Sequence, residues 1–476
     1  MLRSLFSGVS GLKNHQTRMD VIGNNISNVN TTGFKSSRVT FSDTLSQTLT
    51  GAAAASEGKG GTNPKQIGLG SQVSSVDMLF TDGSVQSTGK NTDLCLSGSG
   101  LFVVKNSNGT FYTRNGAFSF DEQGNYVTSD GSYVQGWTAI DGNLDTNGTP
   151  GNIKVAAGKS MAARETTKAD YVNNLDSAAA TITQINGATT SPVTVGTAGQ
   201  PTSATLTLSD GSTITVTSGT YTIGNSVPIS TTFTIYDSQG NAHAVPILLE
   251  KDTAAGTKTN TWKLSLAPTW DDAAKVYVGG GTSTTIKEAD GSETKIDLKS
   301  EALVFENNGE YKSGKATIDL TYSKGNGAAP KKDLVVDLTK LTQYSGSSTI
   351  NAGADGNAAG TLSSVSVDSS GIITGTYTNG VIQYEAQVAV AQFNNSAGLT
   401  KVGGSYYQES NNSGVPNVKT AAKLGVTITP SALEMSNVDI ADQFSDMIIT
   451  QRGFQSNSKI ITVSDEILET LINMKR

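Results

Sequence analysis

Charge is what this sequence has least of: Asp, Glu, Lys and Arg make up 16% of its 476 residues, against roughly 25% in an average globular domain. A net charge of -7 over that length leaves no basic stripe to neutralise phosphates, so nucleic acid is not expected as a partner. The single cysteine, Cys95, excludes an intrachain disulfide framework and a thiolate metal cluster. The two histidines, His15 and His243, stand far apart without a nucleophile pattern, which leaves little for a catalytic triad or a zinc site. With only 10 prolines the chain does not read as Pro-rich and disordered. No apolar run is long enough to span a bilayer, so no membrane insertion is expected. Residues 1–30 alternate apolar and polar positions and lack the uninterrupted core of a cleavable secretory signal.

Two partial motifs miss a required residue. Gly158-Lys159-Ser160 looks like the end of a phosphate loop, but the glycine needed five residues before Gly158 is Ile153. Asp141, Asn143 and Asp145 have the spacing of a calcium loop, yet the sharp-turn glycine is Thr146 and the closing glutamate is Asn152. No catalytic, cofactor-binding or metal-binding residue is therefore assigned, and the chain does not read as an enzyme.

Gly, Ser, Thr and Asn take the place of charge, and with many Thr and Val they favour strands joined by tight turns. Between residues 70 and 430 the dipeptides Asn108-Gly109, Asp130-Gly131, Asp210-Gly211, Asp290-Gly291, Asn308-Gly309 and Asn379-Gly380 are flanked by alternating apolar residues, a hairpin pattern. Residues 29–70, with Gly51 followed by four alanines and few apolar residues, read as an extended connector.

The ends are different. Leu5, Leu12, Met19 and Ile26 recur every seven residues, an apolar stripe along a helix that Gly8, Gly11 and Gly23 weaken by roughly 1 kcal/mol each. Ile440, Met447, Phe454, Ile461 and Leu468 repeat the spacing in a second helix, expected over about 437–474 and capped by Ser436 with Asp439 three residues on. Gln443, Thr450, Asn457 and Ser464 stand where a tight coiled coil wants apolar residues, which suggests polar faces left over for neighbours. Periodicity alone also allows two helices that merely cover an ordinary core.

Residues 24–35, NNISNVNTTGFK, resemble the N-terminal signature of the flagellar rod and hook axial protein family: Asn24, Asn25, Asn28 and Asn30 follow the helix, and Gly33, Phe34 and Lys35 complete the turn. Residues 432–476, beginning ALEMSNVD, resemble that family's C-terminal signature. Residues 89–114 and 375–393 resemble the two halves of its inner β-domain, with Cys95 in place of the usual small aliphatic residue. A long insertion over roughly 146–357 is more similar to hook than to rod subunits.

The resemblance implies a multidomain, mainly β fold with paired terminal helices. It divides the chain into 1–28 and 431–476 as a coiled-coil-like helical inner core and 29–70 as connector. The inner β-domain then comprises 71–145 and 358–430, and the outer β-domain 146–357, with an extra module near 175–228. It implies a homo-polymer, a curved flexible tube working as a universal joint outside the cell. Hook cap, distal rod and hook-filament junction proteins and the flagellar export apparatus would be its partners. Because some family members join subunits through a cysteine and a lysine, Cys95 is a possible cross-link. The alternatives are a distal rod subunit and, in a different class, a secreted β-rich adhesin, which would account for the Thr and Gly but for neither signature.

Overall fold

The computed structural model describes residues 2–55, 57–253, 260–271, 275–287, 292–322 and 327–474. Its order is one long N-terminal helix, a succession of short strands, and one long C-terminal helix. We label the helices α1 (Leu2–Ser27) and α2 (Ile440–Asn473).

The chain divides into two compact units. The first comprises Met1–Lys159, Leu362–Tyr377 and Ile382–Arg476. Its central antiparallel sheet joins a block of strands from the first half of the chain to blocks from the second half on either side. Ile382–Val388 pairs with Tyr133–Thr138, which leads through Leu101–Asn106 and Gly109–Thr113 to Tyr406–Gln408. One face of this β-body buries Phe102, Phe118, Tyr126, Ile373 and Val388, while Tyr112, Trp137, Phe393 and Tyr407 form a second cluster.

The second unit, Ser160–Thr361 with Thr378–Val381, holds two sheets around Trp262, Tyr171, Phe233 and Ile318. The six-stranded sheet includes a parallel pair, Lys168–Asp176 with Lys331–Tyr344; the five-stranded sheet is antiparallel. A separate small cluster of Ile182, Ile185, Val195, Leu206 and Tyr221 marks a module of short strands within residues 182–221.

The turn dipeptides lie where alternation placed them. Asn108-Gly109, Asp130-Gly131, Asp210-Gly211, Asn308-Gly309 and Asn379-Gly380 each join two antiparallel strands. The Asp290-Gly291 pair lies outside the described residues. Leu206 pairs with Ile214 across the Asp210-Gly211 turn, as the register requires.

Three expectations need correction. Residues 29–70 are not simply extended: Ser37–Asp43 pairs with Ser71–Met78, and Ser46–Thr50 with Lys65–Gly68. The Gly- and Ala-rich tip hid the alternation of Val39 and Phe41. α2 starts later than expected, with Asp439 as its N-cap accepting from the Ala441 and Asp442 N–H groups, while the Ser436 hydroxyl accepts from the Val438 N–H outside the helix. An aspartate there also favours the positive end of the helix dipole. Finally, the first unit runs on to Lys159, inside the stretch assigned to the outer domain, and resumes only at Leu362, a few residues into the stretch assigned to the inner one.

Candidate assembly interface

α1 and α2 pack antiparallel, and their seam is polar and small. Near one end Gly8 lies against the Asn457 carbonyl and Ile461; Gly11 meets the Asn457 side chain; His15 lies against Gly453; Arg18 pairs with Asp446 at 2.9 Å; and Asn25 donates to Gln443 at 3.0 Å. A Cβ on Gly11 would come within 2.7 Å of the Asn457 amide, so this glycine sets how closely the helices approach. Two of the three glycines that weaken α1 alone, Gly8 and Gly11, thus lie directly against α2, while Gly23 has no neighbour within 4 Å.

The positions expected to face neighbours are the ones in the seam. Thr450 and Ser464 are the buried residues of α2, and each hydroxyl donates to its own helix four residues back, to the Asp446 and Ile460 carbonyls. With the oxygen satisfied internally, the small side chain can be covered by α1. Apolar residues are left on both flanks: Ile449, Ile460, Val463 and Ile467 on one, Phe444, Ile448 and Ile472 on the other, all exposed. Of the expected series, Met447, Ile461 and Leu468 border the seam half-buried, whereas Ile440 and Phe454 are exposed. On α1, Leu5, Leu12, Met19 and Ile26 are half-buried, and Phe6 is 65% exposed. The correction has a simple cause: period seven locates an apolar stripe but not which edge of it the partner covers.

The other side of α1 rests on the hairpin of the former connector. Asn14 donates to the Ser71 hydroxyl at 2.7 Å, and Ser10 accepts from the Ser71 N–H.

The signature turn is where helices and β-body are tied together. Asn25, buried, accepts from the Ser37 N–H at 3.0 Å and donates to the Ser37 carbonyl at 2.8 Å as well as to Gln443, so one amide bridges α1, α2 and the first strand. Asn28 bonds back to the Asn24 carbonyl and accepts from the Thr31 hydroxyl, closing the helix end; Asn24 and Asn30 themselves are exposed. Gly33 has φ +66, and a Cβ there would lie 2.5 Å from the Asn115 nitrogen. Its N–H donates to the Glu434 carbonyl at 2.8 Å. Phe34 is buried, with the Lys401 ammonium 4.0 Å from its ring centroid.

Lys35 then enters a charge cluster in which it, Arg114 and Glu434 are fully buried and Asp82 lies at the open edge. Its ammonium donates to Glu434 at 2.7 Å and to the Thr81 carbonyl at 2.6 Å; Arg114 donates to the other Glu434 oxygen at 3.1 Å and to the Leu96 carbonyl, with Asp82 at 3.4 Å. Glu434 also accepts from the Gly83 N–H. Burial and the neighbouring guanidinium hold Lys35 below its usual pKa, while Glu434 pulls it back up. A buried ion cluster adds little net stability, but removing one partner strands a charge and costs about 3–5 kcal/mol. Sequence reading named Lys35 and missed Glu434 and Arg114; Glu434 stood inside the C-terminal signature, but nothing in the sequence paired it with a lysine 399 positions away.

Cys95 belongs to the strand Leu94–Ser97, which pairs with Thr427–Pro430. It is 1% exposed, and burial, reinforced by the Glu434 carboxylate, pushes its thiol up to about 11. A covered, protonated thiol is a packing group and a poor nucleophile, so this geometry gives the expected cross-link no support. His243 is likewise buried, between Asp237, Thr294 and the Tyr322 ring. Lys159, of the incomplete phosphate loop, donates to Glu385. Among the described residues no cluster of three or more His, Cys, Asp or Glu could hold a metal, and no helix is long and apolar enough to cross a membrane.

Four family models match. Residues 5–35 match the flagella basal body rod protein, and 95–200 the flagellar hook protein FlgE/F/G D1 domain. Residues 210–357 match the flagellar basal body protein FlaE D2 domain, and 429–474 the flagellar basal body rod FlgEFG protein C-terminal. The flagellar hook protein FlgE of Treponema pallidum is 37% identical over the full length of both chains. That of Salmonella typhimurium is 32% identical, over 99% of this chain and all of its own. The flagellar basal-body rod protein FlgG of Bacillus subtilis is 29% identical over the full length of both. A body of β-units closed by a helix pair that leaves apolar flanks uncovered thus matches, end to end, chains that build flagella, and this protein belongs to the flagellar hook protein family.

Proposed function

We infer that the chain is a structural subunit of the flagellar hook that polymerises through the uncovered flanks of α2. The observation carrying this is the row of Ile449, Ile460, Val463 and Ile467, exposed on a helix whose polar seam is already filled by α1. Burying a side chain of this size contributes about 1.5–3 kcal/mol before ordering costs, and each is already partly covered, so several are needed to hold a neighbour. In the polymer the helix pair would form the wall of the central channel, the β-body of the first unit, up to Lys159 and again from Leu362, the inner domain, and the unit of Ser160–Thr361 the outer one. The tube would work as a universal joint outside the cell between rod and filament. Its subunits would be exported by the flagellar apparatus, and would meet the hook cap, distal rod and hook-filament junction proteins.

The second reading is a distal rod subunit, favoured by the full-length likeness to the Bacillus rod protein. Electron microscopy of polymer grown from purified subunits separates the two. A curved, flexible tube is expected; straight, rigid cylinders would move the assignment to the rod.

A further inference from the structure

The chain passes between its two compact units four times, after residues 159, 361, 377 and 381. Within the first unit, one buried carboxylate holds the ends of two of these passes, and the backbone of one of them holds a third. Glu385, 3% exposed, accepts from the Lys159 ammonium at 2.7 Å on one oxygen and from the Tyr377 hydroxyl at 2.5 Å on the other. The Lys159 carbonyl in turn accepts from the Leu362 N–H at 2.9 Å. Lys159, Leu362 and Tyr377 are each the terminal residue of the first unit on their pass. Packing around the carboxylate is tight: a Cβ on Gly375 would lie 3.1 Å from Glu385 Cγ and 2.6 Å from Leu362 Cδ1. The Glu385 carbonyl accepts from the Ala139 N–H at 2.7 Å, which holds its backbone to the end of the neighbouring strand.

Residues where the chain leaves a unit ordinarily open at far lower cost than the core of a sheet. A buried carboxylate shared by two of them, with the third bonded to the Lys159 carbonyl, changes that, because hydrogen bonds to a charged group are roughly twice as strong as neutral ones. We propose that Glu385 is a positioning residue that fastens the roots of the passes at 159, 362 and 377 to one point of the first unit. The chain bound for the second unit then starts from a fixed root. The proposal concerns the folded subunit and stands whether or not the polymer is a hook.

Hydrogen exchange on the soluble full-length protein tests it. Glu385→Ala is expected to raise exchange at Leu362 and at the amides around Tyr377 about tenfold or more, with Val103 and Val104 in the central sheet unchanged. Gln387→Ala is the control: it lies two residues along the same strand, and its amide donates to the Ser370 carbonyl, away from the passes. An equal rise at Leu362 in both variants, or a uniform rise through the unit, would overturn the proposal. If Glu385→Ala does not fold, Lys159→Met and Tyr377→Phe alone and combined replace it. Coupled effects on the Leu362 amide support a shared fastening, and independent effects refute it.

Discussion

His15 sits in the helix seam with its Nδ1 buried and without a hydrogen-bond partner, its ring against Gly453 and 6.5 Å from Phe41. The charge facing it is Arg18 one turn on, itself paired with Asp446; Gly453 and Phe41 bring none from α2 or from the strand. Burial, and then Arg18, lower its pKa below 6.5. A histidine depressed in the folded state binds more protons when the helices separate, so pairing is at full strength above about pH 6.5 and weakens as pH falls below it. Helix content followed by circular dichroism should therefore drop in mild acid for the wild type and change less for His15→Gln; parallel curves would remove His15 as the cause. Composition made His15 look idle because triads and zinc sites were the chemistry looked for, and a seam histidine has no sequence signal. Gly33 and Lys35 were legible through the signature turn, whereas Glu434 and Arg114 became visible only when the chain folded back on itself.

At the scale of elements, both helices could be read from their repeats, and most hairpins from Asn-Gly and Asp-Gly dipeptides whose left-handed turn fixes the register. The covered edge of each stripe could not, because seven residues is close to two turns and leaves a choice of neighbouring edges. The structure assigns the polar edge to the intramolecular pair, so the apolar flank can be tested without disturbing that pair. Ile449→Asp with Val463→Asp should abolish polymerisation, judged by sedimentation, while the monomer keeps its circular dichroism spectrum. Tubes of normal yield from this variant would show that the flank is not a contact. The hairpin of residues 37–78 was missed because its strands are half-exposed and its tip is a run of small residues, a composition that linkers share.

For the whole molecule, the two β-units carry their own cores, and the helices contribute little to either. Asn437 belongs to the β-body: it accepts from the Ser36 N–H at 2.8 Å and donates to the Leu79 carbonyl and the Thr81 hydroxyl. A truncation that respects this ends at Asp439. Removing 440–476 should leave the melting of the β-units within a few degrees of wild type while eliminating polymer. A β-body that unfolds on this truncation would mean that α2 is part of its core. The division into β-units and terminal helices was open to reading from turn density and periodicity. The hand-over at 361 was not, since it lies within the strand Gly360–Val367 and no turn marks it.

The cluster around Glu434 also has a consequence in time. Lys35 leaves the ribosome 399 residues ahead of its partner, and the segment that becomes α2 follows that partner. α1 is therefore made long before the helix that matches it. Its glycines and polar seam give it little reason to fold early or to bind elsewhere. A newly made chain thus carries a loose helical segment while the β-units are being written, and the same late arrival that closes the knot ends that state.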